Sequence, residues 1–275
     1  MTDLVTLSAP SADLSAHVER SRLLSAISWV RHGVTRRVPG LGLADGNVGY
    51  TAPRDPNDAW EMRQLWARAI GIDPSDLVRV RQVHGNDVRV ATERDTERGT
   101  HPEAGEAPIG DAIITAEPNV ALMTLHADCL ALLLVDPVQR AVAAVHAGWR
   151  STVLDITGEA VRAMIATFST RPEHLIAWVG PSIGPNLYEV GDEVIEAWRG
   201  RSRSDAAVHR VDGRWRFDLK AANASRLIAA GVRDSNIEVS EVCTAASSEQ
   251  WFSHRAQGPL TGRFAAVIAI SDHAK

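Results

Sequence analysis

The centre of this chain is a series of short apolar runs that predict a buried β-sheet. Turn-forming pairs such as Pro118-Asn119 and Asp136-Pro137 separate the runs. Within each run the apolar residues are nearly continuous instead of alternating with polar ones, which is typical of strands with both faces buried. The four runs are residues 112–115, 120–125, 130–135 and 141–145.

Helical and strand patterns surround this central region. The predicted helices are residues 57–70, with a cap at Asn57 or Asp58 and a stop at Gly71, then 151–168, 192–198 and 218–230, the last capped by Asp218. The further predicted strands are residues 77–83, 175–179, 237–243 and 264–270. Because strands and helices are mixed without a regular βαβ rhythm, the pattern favours an α+β fold with a mixed sheet over a doubly wound fold.

No linker or internal repeat divides the chain, so residues 1–275 are interpreted as a single domain. Residues 1–25 are polar and weakly patterned, which is compatible with either an edge strand or a loose N-terminal arm. Residues 91–110 are rich in Glu, Gly, Thr and Pro, and they predict a mobile surface loop. The charged stretch at 201–216 is interpreted as a solvated loop.

Charge and cysteine content exclude several classes of function. The formal net charge is −5, whereas nucleic-acid binding needs clustered Lys and Arg. The two cysteines are too few for a disulfide framework and fit a reducing compartment. Neither a signal peptide nor an apolar run of membrane-spanning length is visible. We therefore expect a soluble, cytoplasmic protein without nucleic-acid or membrane partners.

Three residues in sharply marked contexts predict an open metal site. His84 follows the predicted strand 77–83, Cys129 lies near the break between two apolar runs, and His146 follows the run 141–145. Two imidazoles and one thiolate leave the fourth position of a zinc ion free for water or substrate, as in catalytic sites. These ligands favour zinc or copper over magnesium or calcium. The alternative is that Cys129 is an ordinary buried side chain.

Two neighbours of these residues are candidates for catalysis. Asp128 precedes Cys129, and a carboxylate inside an apolar sheet is costly unless it has partners. Arg150 lies at the predicted start of a helix, behind Gly148, where a planar cation and the helix dipole together favour an anion. An ordinary surface arginine is the alternative interpretation of Arg150.

Ten motifs occur in an order that resembles a known family. They are Gln82-Val-His-Gly85, Asp111-Ala-Ile-Ile-Thr115, Ala127-Asp-Cys129, His146-Ala-Gly-Trp-Arg150, Gly180-Pro-Ser-Ile-Gly-Pro185, Tyr188-Glu-Val-Gly191, Phe217-Asp-Leu-Lys220, Cys243-Thr244, Phe252-Ser-His-Arg255 and Thr261-Gly-Arg263. From about residue 80 to the C-terminus, the chain resembles the laccase-domain proteins, also called YfiH-type or multicopper polyphenol oxidase-like proteins.

The resemblance implies both a fold and an activity. The implied fold is a mixed β-sheet sandwich surrounded by helices, with His84, Cys129 and His146 as zinc ligands. The implied activities are phosphorolysis of adenosine, inosine and methylthioadenosine, and hydrolytic deamination of adenosine. An older label for the family is copper-dependent polyphenol oxidase.

Three positions depart from the family pattern. His126 stands where threonine is usual, Ala131 replaces a proline, and Asn186-Leu187 replaces a frequent Cys-Cys pair. In a strand, residues 126 and 129 face opposite sides. We therefore predict that His126 supports the ligands from behind or packs in the core, with a fourth ligand or a proton shuttle as alternatives.

The leading prediction is a zinc-dependent purine nucleoside phosphorylase that can also deaminate adenosine. Arg150, with Arg255 or Arg263, would hold phosphate, and Asp128 would carry the proton that deamination requires. The expected partners are a small-molecule nucleoside and phosphate, bound by a monomer or a weak homodimer.

Three alternative functions stay open. A copper-dependent polyphenol oxidase would use the same ligands with Met123 as an axial ligand, although the ten histidines include no His-x-His pair for a multicopper cluster. A Cys-His amide hydrolase would use Cys129 as nucleophile and His146 as base. A non-catalytic partner-binding protein would keep the metal site as a relic.

Overall fold

Two large β-sheets and one separate hairpin form the framework of the protein. The computed structural model describes residues 14–50, 55–202 and 205–271. The strands are β1 (Val18–Glu19), β2 (Val30–Thr35), β3 (Leu77–Arg79), β4 (Val88–Val90), β5 (Ala112–Thr115), β6 (Ala121–His126), β7 (Leu130–Asp136), β8 (Ala141–Ala147), β9 (Ile176–Val179), β10 (Val208–Val211), β11 (Arg214–Phe217), β12 (Ile237–Val239) and β13 (Phe264–Ile270). The α-helices are α1 (Arg22–Ser25), α2 (Pro56–Ile70), α3 (Trp149–Val153), α4 (Ile156–Phe168), α5 (Asp192–Arg199), α6 (Leu219–Ala229) and α7 (His254–Gln257).

Both large sheets are mixed. The five-stranded sheet has the order β1-β2-β13-β6-β3, and the six-stranded sheet has the order β12-β9-β7-β8-β5-β4. Three neighbouring pairs are parallel, namely β3 with β6, β4 with β5, and β9 with β12. The remaining pairs of the two sheets are antiparallel.

The two sheets pack face to face, and helices cover their outer faces. Along β7, Leu133 and Val135 enter the core shared with the five-stranded sheet, whereas Leu132 and Leu134 pack against α4, α5 and α6. Helix α2 packs on the outer face of the five-stranded sheet. Because both faces of the central strands are buried, their apolar runs are continuous. The predicted α+β class, a mixed β-sheet sandwich surrounded by helices, is confirmed.

Two predicted helix boundaries were wrong. The predicted helix 151–168 is divided into α3 and α4, because Asp155 adopts a left-handed conformation (φ 67°) and accepts a hydrogen bond from the N–H of Gly158. Helix α2 is capped by Asp55 instead of Asn57 or Asp58, since Pro56 occupies the first helical position. The stop at Gly71 (φ 86°) and the cap at Asp218 are confirmed.

Three predicted segments near the sheet ends also differ from the structure. The predicted strands 77–83 and 237–243 end at Arg79 and Val239, respectively. Beyond these points the chain leaves the sheets and makes only isolated bridges, such as Ser182 with Cys243. The stretch 201–216 is not wholly a loop, because β10 and β11 pair around a turn at 212–213 in which both residues have positive φ.

The N-terminal stretch and the segment 91–110 lie at the edges of this framework. Strand β1 pairs with β2 at the edge of the five-stranded sheet, so the edge-strand alternative applies to residues 18–19, whereas Leu14–His17 form a 3-10 helix and Arg22–Ser25 form α1. The rest of the predicted arm, residues 1–13, lies outside the described residues. Segment 91–110 is largely at the surface, although Thr100 is fully buried. None of the helices in the described part of the chain could span a membrane.

Candidate metal centre

The three predicted metal ligands converge in the structure. His84 lies on the loop after β3, Cys129 in the turn between β6 and β7, and His146 on β8. One donor atom from each side chain lies within 4.8 Å of the other two, and Cys129 Sγ is 3.6 Å from His84 Nε2. His84 is exposed, Cys129 half-buried and His146 buried. The group therefore has one face that a ligand can reach.

Strand register explains why Cys129 and His146 meet. In the antiparallel pair of β7 and β8, Leu130 lies opposite Ala147 and Ala131 lies opposite His146. Cys129 immediately precedes this register, so its side chain is carried to the end of β8. The turn before it is tight, because Asp128 has a left-handed backbone (φ 85°).

Asp111 positions two of the three candidate ligands, His84 and His146. This role was not predicted from the sequence. Its fully buried carboxylate accepts hydrogen bonds from the backbone N–H groups of Val83, His84 and Gly85 at 3.1, 3.0 and 2.7 Å. It also accepts a 2.8 Å hydrogen bond from Nδ1 of His146, which leaves Nε2 of that ring for a metal. One signal in the sequence could have revealed this role, namely that Asp111 directly precedes the apolar run 112–115.

Gln82 holds the His84 loop against the five-stranded sheet. Its side-chain amide donates to the carbonyl of Leu125 at 2.7 Å and accepts from the N–H of the same residue at 2.9 Å. The side chain thus takes the place of a neighbouring strand at the end of β6. His84 itself has a positive φ of 60°, which these contacts and those of Asp111 maintain.

The space around the ligands fits a metal ion held by these residues. A Cβ atom at Gly148 would lie 2.7 Å from Cδ2 of His84 and 3.0 Å from Sγ of Cys129. Any side chain at this position would therefore force His84 and Cys129 to move. The predicted close approach of the Gly148 backbone is present, and two nitrogen donors with one sulfur donor match a zinc or copper site.

The ligands stabilise one another electrostatically. Burial raises the pKa of the Cys129 thiol, but the charge of His146 and hydrogen bonds from His146 and His84 outweigh burial and lower the pKa. Burial lowers the pKa of His146, but the Cys129 thiolate and Asp111 outweigh it and raise the pKa. The lowered pKa of Cys129 favours its thiolate, the metal-binding form of cysteine. The raised pKa of His146 favours its protonated form, so a metal ion that binds Nε2 would release a proton.

His126 lies behind the ligands. It is 1% exposed, and its ring stacks on Phe264 with the centroids 5.6 Å apart. Nε2 is 2.8 Å from the hydroxyl of Thr124, and Nδ1 is 3.2 Å from the carbonyl of Cys129. Burial, together with the charge of His146, holds the pKa of His126 well below its ordinary value. Both ring nitrogens have partners, which supports a positioning role over that of a fourth ligand.

Asp128 lines the pocket, but both of its oxygens are engaged. One accepts a 2.6 Å hydrogen bond from the hydroxyl of Thr244, and the other accepts a 2.6 Å hydrogen bond from the N–H of Arg255. Asp128 thereby links the turn before Cys129 to the start of α7. The predicted catalytic role of Asp128 remains a prediction beside this structural one.

The ligands lie in a pocket of about 710 Å³ with two arginine-bearing walls. We define the Tyr188 wall as Tyr188, Arg150 and Arg255, and the Tyr50 wall as Tyr50, Arg79 and Arg81; all six residues line the pocket. Asp128 is the one carboxylate among the described lining residues. The pocket is therefore strongly cationic and suits an anionic ligand.

The predicted phosphate-binding arginines are divided between the two sides. On the Tyr188 wall, the guanidinium of Arg150 lies 4.3 Å from the ring centroid of Trp149, and that of Arg255 donates to the carbonyl of Glu189 at 2.8 Å. Arg263 belongs to the opposite side, because its side chain is packed so closely on Gly49 that a Cβ there would meet it at 2.9 Å. The Tyr50 wall was not anticipated from the sequence, since its residues lie outside the motifs considered for phosphate.

Comparison with known proteins identifies relatives over most of the chain. A family model described as multi-copper polyphenol oxidoreductase laccase matches residues 31–271. The purine nucleoside phosphorylase YlmD of Geobacillus stearothermophilus is 33% identical, over 86% of this chain and 87% of the relative. The adenosine deaminase RL5, from an unknown prokaryotic organism, is 35% identical over 82% of this chain and 84% of the relative.

A solved structure has the same fold. The crystal structure of YlmD from Geobacillus stearothermophilus superimposes with a TM-score of 0.85 at 31% sequence identity. The match covers 90% of this chain and 93% of that chain. The mixed architecture described above is therefore shared along nearly the whole length of both proteins.

Proposed function

This chain belongs to the multi-copper polyphenol oxidoreductase laccase family, and we propose that it is a purine nucleoside phosphorylase that also deaminates adenosine. One observation carries the proposal. The His84, Cys129 and His146 group opens into an arginine-lined pocket large enough for a small-molecule ligand. The names of relatives at 33 and 35% identity supply the two reactions.

We propose zinc as the metal that His84, Cys129 and His146 hold. Two imidazoles and a thiolate are a ligand set of catalytic zinc sites, and the Gly148 backbone leaves room for the three side chains to close around an ion. When bound, zinc would supply Lewis acidity and lower the pKa of a coordinated water. Asp111 would hold the His146 ring in the orientation that such binding needs.

Phosphate binding is assigned to the arginines of the pocket. In phosphorolysis, a phosphate oxygen forms a bond to ribose C1′ while the N-glycosidic bond breaks and its electrons leave with the purine. The transition state resembles a cation, so an anion held beside C1′ stabilises it. Arg150, at the start of α3, would orient that phosphate together with Arg255 or Arg263. The planar guanidinium suits two-point contact with phosphate oxygens.

Deamination requires a group that moves a proton to the leaving ammonia. Asp128 is the carboxylate nearest to this task among the described lining residues. Its hydrogen bonds from Thr244 and Arg255 fix its position. We propose that Asp128 moves this proton.

We also propose that the protein acts in the cytoplasm, as a monomer or a weak homodimer.

The proposal is tested by incubating the purified protein with adenosine, inosine or methylthioadenosine, with and without phosphate. Chromatography should show free base that depends on phosphate, and inosine from adenosine without phosphate. Absence of both products at full zinc loading would refute the proposed function.

The ligand assignment is tested with the two cysteines. Cys129→Ala should remove bound metal and reduce activity by at least about a hundredfold, because one of three ligands is lost. Cys243→Ala is the matched control, since Cys243 is a free thiol that does not line the pocket. Elemental analysis measures the metal content of both variants, and turnover assays measure their activity. A metal-free Cys129→Ala protein with full activity would contradict the assignment of Cys129 as a ligand.

A copper-dependent phenol oxidase is the second candidate, because the family description names that activity. Among the described residues, His84, Cys129 and His146 form the single group of this kind, which is too small for a multicopper cluster. Met123 is not placed as an axial ligand, since it is buried in the core beneath α2 and does not line the pocket. Phenol oxidation that rises in proportion to copper loading would favour this candidate.

A Cys-His amide hydrolase differs from the phosphorylase and from the phenol oxidase because it needs no metal. The thiolate of Cys129 would attack the amide carbonyl, and His146 would transfer the proton. Metal-free protein that forms a covalent acyl-thioester at Cys129 would support it. Metal-loaded protein without turnover of any of these substrates would instead favour a non-catalytic binding protein.

A further inference from the structure

The Tyr50 wall contains positive charge that no described acidic group neutralises. Arg63 lies directly behind it, 1% exposed, with its guanidinium 3.7 Å from the ring centroid of Tyr50. None of the ion pairs found among the described residues involves Arg63, Arg79 or Arg81. Buried cations without a counter-ion are unfavourable in folded proteins, so this arrangement calls for an anion.

The hydrogen bonds of these arginines leave donors unused. Arg63 donates to the carbonyls of Val48 and Thr100, and Arg79 donates to the carbonyl of Gly99 at 3.2 Å. A second terminal nitrogen of Arg63 and Nε of Arg79 are buried and have no acceptor. Neutral carbonyls thus satisfy only part of the donor capacity of two guanidinium groups.

Of the three arginines proposed for free phosphate, Arg150 and Arg255 belong to the Tyr188 wall, whereas Arg263 packs on Gly49, next to Tyr50. Tyr188 interacts electrostatically with Arg150, Arg255 and Cys129, whereas Tyr50 interacts with Arg63 and Arg79. Arg81 is exposed on the pocket surface and makes none of the side-chain hydrogen bonds or ion pairs found among the described residues. It is therefore available to a ligand.

We propose that the Tyr50 wall is a second anion subsite, which binds a phosphate group attached to the nucleoside. This inference rests on the proposed function and extends its substrate class to nucleoside 5′-monophosphates. Free phosphate would then be held by Arg150 and Arg255 of the Tyr188 wall, without Arg263, and the attached phosphate would lie against Arg79 and Arg81 in the same pocket. Arg63, behind Tyr50, would add long-range attraction without contact. A free phosphate ion offers the same chemistry to Arg79 and Arg81, so the test separates the two sources.

The experiment is isothermal titration calorimetry with adenosine, adenosine 5′-monophosphate and orthophosphate, each titrated separately into the purified protein. The monophosphate should bind at least about tenfold tighter than adenosine, because charge-assisted hydrogen bonds to arginine are worth a factor of this size. In Arg81→Met the affinities for adenosine and for adenosine 5′-monophosphate should become equal. In Arg150→Met the preference should persist while orthophosphate binding weakens.

Arg233→Met is the matched control, since Arg233 is an exposed arginine that does not line the pocket. It should retain the preference for the monophosphate. If the preference persists in Arg81→Met, the subsite is not at the Tyr50 wall. If orthophosphate binding falls in Arg81→Met and the monophosphate binds no tighter than adenosine, the wall holds free phosphate and the proposal is overturned.

The outcome is separable from that of the proposed function. Release of base from adenosine, with no tighter binding of the monophosphate, would overturn the subsite and leave the function intact. Tighter binding of the monophosphate that depends on Arg81, without turnover of any nucleoside, would refute the function and support the subsite.

Discussion

At the scale of single residues, the candidate centre depends on Asp111 as much as on its three ligands. This carboxylate holds three consecutive N–H groups around His84 and the ring of His146. Burial raises the pKa of Asp111, but the hydrogen bond and charge of His146 and the N–H donors outweigh it, so the net pKa is lowered. Asp111 therefore remains an acceptor for all four donors at neutral pH.

We predict that Asp111→Asn weakens metal binding about 10- to 100-fold, as loss of a group that orients a metal-binding histidine does elsewhere. The amide of asparagine would present a donor to N–H groups that need an acceptor. Competition with a chelator of known affinity measures the effect in the purified protein.

The control for this prediction is Asp136→Asn, at another fully buried aspartate that accepts backbone N–H groups, here from Val138 and Gln139. This control should lower stability without changing metal affinity. Equal metal affinity in Asp111→Asn and the wild type would show that His146 is oriented without the carboxylate.

At the scale of elements, a short break separates α3, which carries Arg150, from α4. Helix α3 ends at Val153 and α4 begins at Ile156, with Leu154 and Asp155 between them. Asp155 makes this possible through its left-handed backbone and its hydrogen bond to the N–H of Gly158. Arg150 thus lies on a short helix, α3, that is separate from α4.

We predict that Asp155→Ala destabilises the protein by about 2 kcal/mol. The loss of the helix cap costs about 1 kcal/mol, and the left-handed conformation costs alanine a further ~1 kcal/mol. Asp155→Asn is the matched control, because asparagine caps helices and tolerates the left-handed region, so it should lose less than ~1 kcal/mol. Urea unfolding measures both variants, and equal losses would contradict this account of the break.

At the scale of the whole molecule, His32 helps to tie the N-terminal stretch to both sheets. It lies on β2, accepts the N–H of Ser21 at 3.0 Å through Nε2, and packs edge-on to Trp178 of the other sheet. The hydroxyl of Ser21 in turn donates to Glu238 on β12 at 2.8 Å. Burial, followed by the charge of Arg20, lowers the pKa of His32 to about 4, against a weaker opposing effect of the charge of Glu238.

We predict that this histidine makes the protein acid-labile. Between pH 6.5 and about 4 the unfolded chain binds a proton that the folded chain does not, so stability is full above pH 6.5 and falls as the pH drops. The full contribution is about 3 kcal/mol. His32→Gln should therefore show a smaller loss of unfolding free energy between pH 7 and 4.5 than the wild type.

The control is His209→Gln, at an exposed histidine on β10. It should keep the pH dependence of the wild type. Denaturant unfolding at several pH values gives the free energy of unfolding of all three proteins. If this free energy changes with pH equally in His32→Gln and the wild type, His32 is excluded as the source of acid lability.

The sequence alone was sufficient to predict the central strands, the fold class and the residue types of the candidate metal centre. Hydrophobic periodicity is local, so β5, β6, β7 and β8 could be recognised from short apolar runs. His84, Cys129 and His146 were recognisable because each combines a metal-binding side chain with a strand end. The same local signals could not reveal that Leu133 and Leu132 pack in different cores, since that depends on the second sheet and the helices.

Only the tertiary structure decided which distant residues share a site. Asp111 is 27 residues from His84 and 35 from His146, and its role follows from the register of β5 and β8 rather than from any local pattern. The division of the arginines into two walls also arises from packing, because Arg81 follows β3 of the five-stranded sheet and Arg150 lies on α3, which follows β8 of the six-stranded sheet. Local sequence sets the conformational preference of each segment, but the contacts between segments exist only after the two sheets have closed over one core.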